Sequence, residues 1–120
     1  MDSQNNREQL LARWAELAPQ ECDITTRYSE PPISIWRLNR RGHFDESAAV
    51  FPALLLSALI EAVRARGWHS VIWNDDEAFA HVKRADSELL GKAAGYQPCD
   101  ALLAAYVRAL EATCQTELKS

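Results

Sequence analysis

Nowhere do these 120 residues hold an apolar run approaching the roughly 18–20 that a membrane span needs. The opening stretch Met1–Arg7 is polar, which argues against a secretory leader and sets a cytoplasmic location as the expectation. Cysteine is sparse: Cys22, Cys99 and Cys114 are odd in number and include no CxxC pair, so neither a zinc knuckle nor a thioredoxin-type redox site is supported. No basic excess exists either. The net charge is −4 and the pI about 5.3, without the push toward nucleic acid that a basic face gives. GxSxG, HExxH and GxGxxG are all missing, and Gly91-Lys92-Ala93-Ala94-Gly95 lacks the order of a phosphate-binding loop.

What is present is ordinary globular material. An apolar fraction of 48% and a charged fraction of 25% suit a folded chain, and four tryptophans supply large core groups. The length fits one domain spanning 1–120.

Leu10, Leu11, Trp14 and Leu17 fall on one helical stripe from about Arg7 to Ala18, which Pro19 ends. Residues 20–32 are polar and broken by Pro31-Pro32. Ile33–Leu38 then reads as a strand, with Ile33, Ile35 and Arg37 on one face and Ser34, Trp36 and Leu38 on the other. A turn with a small basic cluster follows at Asn39–His43.

A second helix is marked by Phe51, Leu54, Leu55, Leu59, Ala62 and Val63, with Pro52 near its start and Gly67 placed to close it. Trp68–Trp73 and Ala78–Lys83 flank a polar tip and read as a hairpin. Residues 85–97 lack periodicity. The last helix begins near Pro98 or Asp100, with Leu102, Leu103, Tyr106, Val107 and Leu110 on its apolar side and enough alanines to let a neighbour approach closely. The expected fold is therefore α+β, in the order α-β-α-β-β-α, with one three-stranded, mainly antiparallel sheet covered by helices. Trp14, Leu55, Leu59, Ile72, Leu103, Val107 and Leu110 are the expected core.

Between about Pro52 and Ala112, the run Leu54–Arg66, Gly67-Trp68, the hairpin and Gly95-Tyr96-Gln97-Pro98-Cys99-Asp100 leading into an alanine-rich helix resemble the phage ABA sandwich domain. The resemblance implies a phage or prophage accessory protein, one version being an inhibitor of a bacterial defence system. It carries over no catalytic residues.

Candidate chemistry is thin. His69 and His81 both lie on the hairpin. A two- or four-residue loop puts them on opposite faces, and only a three-residue loop sets them against each other. Cys99 sits at a helix amino terminus, where thiolates are stabilised. Asp75-Asp76-Glu77 lacks the alternating ligands of an EF-hand and reads as a solvated turn. Trp36 with Arg37, Arg40 and Arg41 forms the best recognition patch, since arginine and aromatic residues are enriched at interface hot spots. Leu89 and Leu90, in a long irregular connection with Gly91 and Gly95, are the second partner-binding candidate. The expectation is a non-catalytic protein-binding module with no metal or cofactor, no membrane association and a possible homodimer. The alternative is a small nucleic-acid-associated regulator using Arg37, Arg40, Arg41, Lys83 and Arg84. An enzyme relying on His69, His81 or Cys99 comes last.

Overall fold

The computed structural model describes residues 3–27, 33–39, 42–45 and 48–119. Among these, the chain runs α1 (Ser3–Leu17), β1 (Cys22–Arg27), β2 (Ile33–Leu38), β3 (His43–Asp45), α2 (Phe51–Ala65), β4 (His69–Asn74), β5 (Ala78–Lys83), β6 (Leu89–Gly95) and α3 (Pro98–Lys119). The strands form two antiparallel three-stranded sheets, ordered β1-β2-β3 and β4-β5-β6. The α+β class stands. The expected order and single sheet do not, because β1, β3 and β6 add strands in segments whose local sequence is polar, short or glycine-rich.

The helices lie between the sheets. α3 spans the inner face of the second sheet, closest to β6, and meets α1 and α2 on its other sides, while β1 packs on α1. Leu11, Trp14 and Ala18 of α1 are buried, as are Leu55, Ala58, Leu59, Ala62 and Val63 of α2. From the first sheet, Cys22, Trp36 and Leu38 enter the same core. The register Cys22↔Leu38 and Ile24↔Trp36 places these on one face, as the alternation in Ile33–Leu38 requires.

α2 ends where the sequence places its stop. Gly67 adopts φ +77°, its N–H donates to the Arg64 carbonyl at 3.0 Å, and the Trp68 N–H donates to the Val63 carbonyl at 3.1 Å. This is a Schellman closure, which favours glycine because a Cβ is strained at positive φ.

β6 forms despite glycine, alanine and lysine being poor strand residues. Its reason is α3. A Cβ on Gly91 would collide with the Ala105 carbonyl oxygen and lie 2.9 Å from the Ala109 nitrogen; one on Gly95 would lie 2.7 Å from the Ala101 nitrogen. Ala101, Ala105 and Ala109 repeat every four residues along α3 and are all buried. Glycines on the strand and alanines on the helix thus allow a close approach that larger side chains forbid. On β5, Ala78 and Ala80 continue the same small-residue seam.

All the expected core residues are buried except Ile72, which is half-buried because β4 is an edge strand.

Candidate functional site

The second sheet turns only one face to α3. Along β5, Ala78, Ala80 and Val82 point inward, so Phe79, His81 and Lys83 point out. The register Trp73↔Phe79, Val71↔His81 and His69↔Lys83 carries that outer face across β4. Phe79↔Ala94 and His81↔Lys92 carry it across β6.

The centre of this face is aromatic. Trp73 and Phe79 stack with centroids 5.5 Å apart and planes 16° off parallel, and His81 meets Trp73 edge-on at 4.8 Å. Such pairs hold each other in place, contributing about 0.5–1.5 kcal/mol beyond their buried area. Yet Trp73 remains 41% exposed and Val71 42%. Around the rings stand His69, Lys83 and Lys92; within β4, β5 and β6 no carboxylate shares the face, and Asp75 and Glu77 lie beyond it in the hairpin loop. In a chain of net charge −4 this is a local reversal of sign.

Beside the β5–β6 turn, a cleft of about 520 Å³ is lined by Arg66, Trp68, Arg84, Glu88, Leu89, Leu90, Ala112 and Thr113, from the connections, the start of β6 and α3. Leu89, 44% exposed, is opposite Lys83, where the register slips, and Leu90 packs partly on the core. His69 Nε2 lies 3.0 Å from the Arg84 carbonyl oxygen and ties β4 to the cleft rim.

The back wall of the cleft is tied together by hydrogen bonds. Arg66 stands over the Trp68 ring at 5.5 Å and donates from Nε to the Tyr106 hydroxyl at 2.7 Å. That hydroxyl donates to Glu21 at 2.6 Å, and the Trp14 indole N–H reaches the same carboxylate oxygen at 3.0 Å. Arg66 also pairs with the second Glu21 oxygen at 3.2 Å. Burial first, then the Glu21 carboxylate, pushes the Tyr106 hydroxyl well above its ordinary range, so it stays a donor. One carboxylate thereby joins α1, α2 and α3. On the far side of α3's start, Arg7 forms a fork with both Asp100 oxygens at 2.6 and 3.1 Å.

The sequence-derived candidates fare differently. Trp36 has 0% exposure and belongs to the core, so it cannot present a surface ring. Arg37 donates to the carbonyls of Pro19, Gln20 and Asn39, which makes it a brace between β2 and the end of α1. Arg40 and Arg41 lie outside the described residues. Leu89 and Leu90 do line a cleft, but from a strand rather than an irregular loop. Lys83 flanks the aromatic face and Arg84 the cleft.

The hairpin loop has three residues, 75–77, yet His69 and His81 do not oppose each other. They sit on the same face at diagonal positions, because His69 pairs with Lys83 and Val71 with His81. Among the described residues, no group of three or more His, Cys, Asp and Glu could hold a metal. Burial pushes the Cys99 thiol up to about 11, outweighing its place at the α3 amino terminus, and the Cys22 thiol up to about 12. The side chain of Cys114 is outside the described set. No described helix is long and apolar enough to cross a membrane.

The sequence marks Trp73 and Phe79 as hairpin residues only, and His81 only as a partner for His69. The available signal was two aromatic positions at matching strand offsets, but its face depended on the loop length. Comparison of the chain with family models, with curated proteins and with solved structures returns no match.

Proposed function

We propose that this protein is a non-catalytic protein-binding module whose docking surface is the outer face of the β4–β6 sheet, with the Leu89–Leu90 cleft beside the β5–β6 turn. The observation that carries this reading is the solvent-facing cluster of Trp73, Phe79 and His81 beside Val71. Tryptophan is the residue most enriched at binding hot spots, and this one is already held by its neighbours, which lowers the ordering cost of docking. The fitting partner presents an apolar centre ringed by carboxylates, opposite Lys83, Lys92 and the two histidines. Buried, proton-retaining thiols at Cys22 and Cys99 suit a role without nucleophilic chemistry. A phage or prophage setting, including inhibition of a bacterial defence system, rests on the sequence resemblance.

A second reading is favoured by one feature. Aromatic rings flanked by lysines on an open sheet also suit single-stranded nucleic acid, with bases stacked on rings and phosphates on Lys83 and Lys92. One experiment separates the two. Wild-type and Trp73→Ala proteins are used as bait in bacterial lysate, with and without nuclease. The protein-binding reading expects a captured protein that survives nuclease and is lost with Trp73→Ala in protein that keeps its circular dichroism spectrum. Capture that disappears with nuclease, or binding to single strands that falls steeply with salt, replaces it by the second reading.

A further inference from the structure

Four strand edges terminate the two sheets, and three carry the features that keep an edge from pairing with another chain. β3 is only three residues long and contains Asp45; β1 carries an exposed Asp23; β6 has a register slip between Val82 and Lys83 and an exposed Lys92. β4 has none of these. Its six residues, His-Ser-Val-Ile-Trp-Asn, include no Lys, Asp, Glu or Pro, and its register with β5 is unbroken. Among the described residues nothing pairs with its other side.

We propose that β4 pairs antiparallel with β4 of a second copy of this chain, joining two three-stranded sheets into one of six strands. In a continuous sheet, paired residues must point to the same face, so a two-fold axis has to pass through a residue rather than between two. Centring it on Ile72 pairs Ile72 with its own copy once, and Val71 with Trp73 and Ser70 with Asn74 twice each, with His69 beside Asp75, the first residue of the hairpin loop, at either end. On the inner side, this covers the half-exposed Ile72 with its own copy. On the outer side, it sets the exposed Val71 beside the exposed Trp73, a β-branched and aromatic pair of the kind that stabilises sheets. At both ends a histidine meets a carboxylate, and no like charges face each other. Centring on Val71 instead sets His69 against Trp73 and leaves Asp75 without a partner. The register through Ile72 therefore fits the charges as well as the apolar groups. The outer faces of the two copies stay open and adjoin, so pairing doubles the aromatic surface without using it up. Edge chemistry carries this inference independently of what that surface binds.

Sedimentation equilibrium over a dilution series tests it. The expected result is a concentration-dependent rise from the 13.5 kDa chain mass to twice that value. Val71→Lys combined with Trp73→Lys places lysines directly opposite each other across the seam, and both positions face solvent in the single chain. This variant is expected to stay monomeric and folded, with an unchanged circular dichroism spectrum and a melting temperature lowered by the lost Trp73–Phe79 stacking and the lost dimer linkage. In a Cys114→Ser background, Ile72→Cys brings two thiols onto the axis at about the 4.5–5.5 Å Cβ spacing of paired residues. It is expected to give a covalent dimer on mild oxidation, and faster than Val71→Cys does. A single-chain mass at every concentration, or a dimer that the two lysines leave intact, overturns the proposal. Either result leaves the lysate experiment with Trp73→Ala unaffected.

Discussion

The two sheets solve the same packing problem in opposite ways. The first sends large groups inward, with Trp36 and Leu38 filling the space toward the helices. The second lines its inner face with Ala78, Ala80, Gly91, Ala93 and Gly95, and α3 settles almost onto the backbone. Close approach replaces bulk as the source of contact. A consequence follows for the outer faces: the second sheet's large aromatic groups stand on the solvent side, where they are available to a partner. Size inside and size outside are alternative uses of the same residue types.

Exchanging size between the sheets tests this contrast. Trp36→Ala empties a fully enclosed site and is expected to cost about 3–5 kcal/mol in denaturant unfolding, since neighbours collapse only partly into such a cavity. A loss near experimental error would remove Trp36 from the core.

Alkaline stability probes the thiol at the start of α3, on the second sheet's side. The folded Cys99 thiol, at about 11, lies above its ordinary 9.0, so between those values the folded state keeps a proton that the unfolded chain releases. Its contribution is complete below pH 9.0 and disappears as pH rises through about 11. The loss is on the order of 2–3 kcal/mol for a shift of this size. Cys99→Ala should flatten that part of the unfolding free-energy curve between pH 8 and 11, and an unchanged slope would contradict the burial. Cys22, in the first sheet, is likewise pushed up by burial, to about 12, so a thiol reagent at pH 8 should modify both thiols far more slowly in the folded protein than in the unfolded chain.

Gly91→Ala adds one methyl where the helix backbone already stands, against the Ala105 carbonyl. Overpacking of this kind costs about 1–3 kcal/mol, and the strand must move outward for it to fit. Equal stability of the variant would mean that α3 is not seated on β6. The smallest effect belongs to the outer face. Trp73→Ala should change stability by less than about 1.5 kcal/mol, the upper range of its ring pairing, while removing partner binding.

Several elements were legible without coordinates. Ile33–Leu38 matches its strand residue for residue, Pro19 and Gly67 stop the helices they were expected to stop, and the alanines of α3 serve the close approach they suggested. The stretch 85–97 was not legible as a strand, because β6 has no strand propensity of its own and exists through α3 and β5. The surface patch expected at Trp36 and Arg37 failed for a related reason. An aromatic and a cation on adjacent strand positions face opposite ways, and nothing local says that the Arg37 fork will be consumed by three carbonyls.

Period and punctuation alone determined the α+β class, all three helices and the central hairpin, because these depend on spacing within one segment. Which side of the hairpin faces solvent was decided only by the three-residue loop and by α3, since a one-residue slip in register inverts every side chain. The division into two sheets, the Glu21 junction of three helices and the exposed aromatic face arise from residues as far as 85 positions apart, and such contacts leave no local trace in the chain.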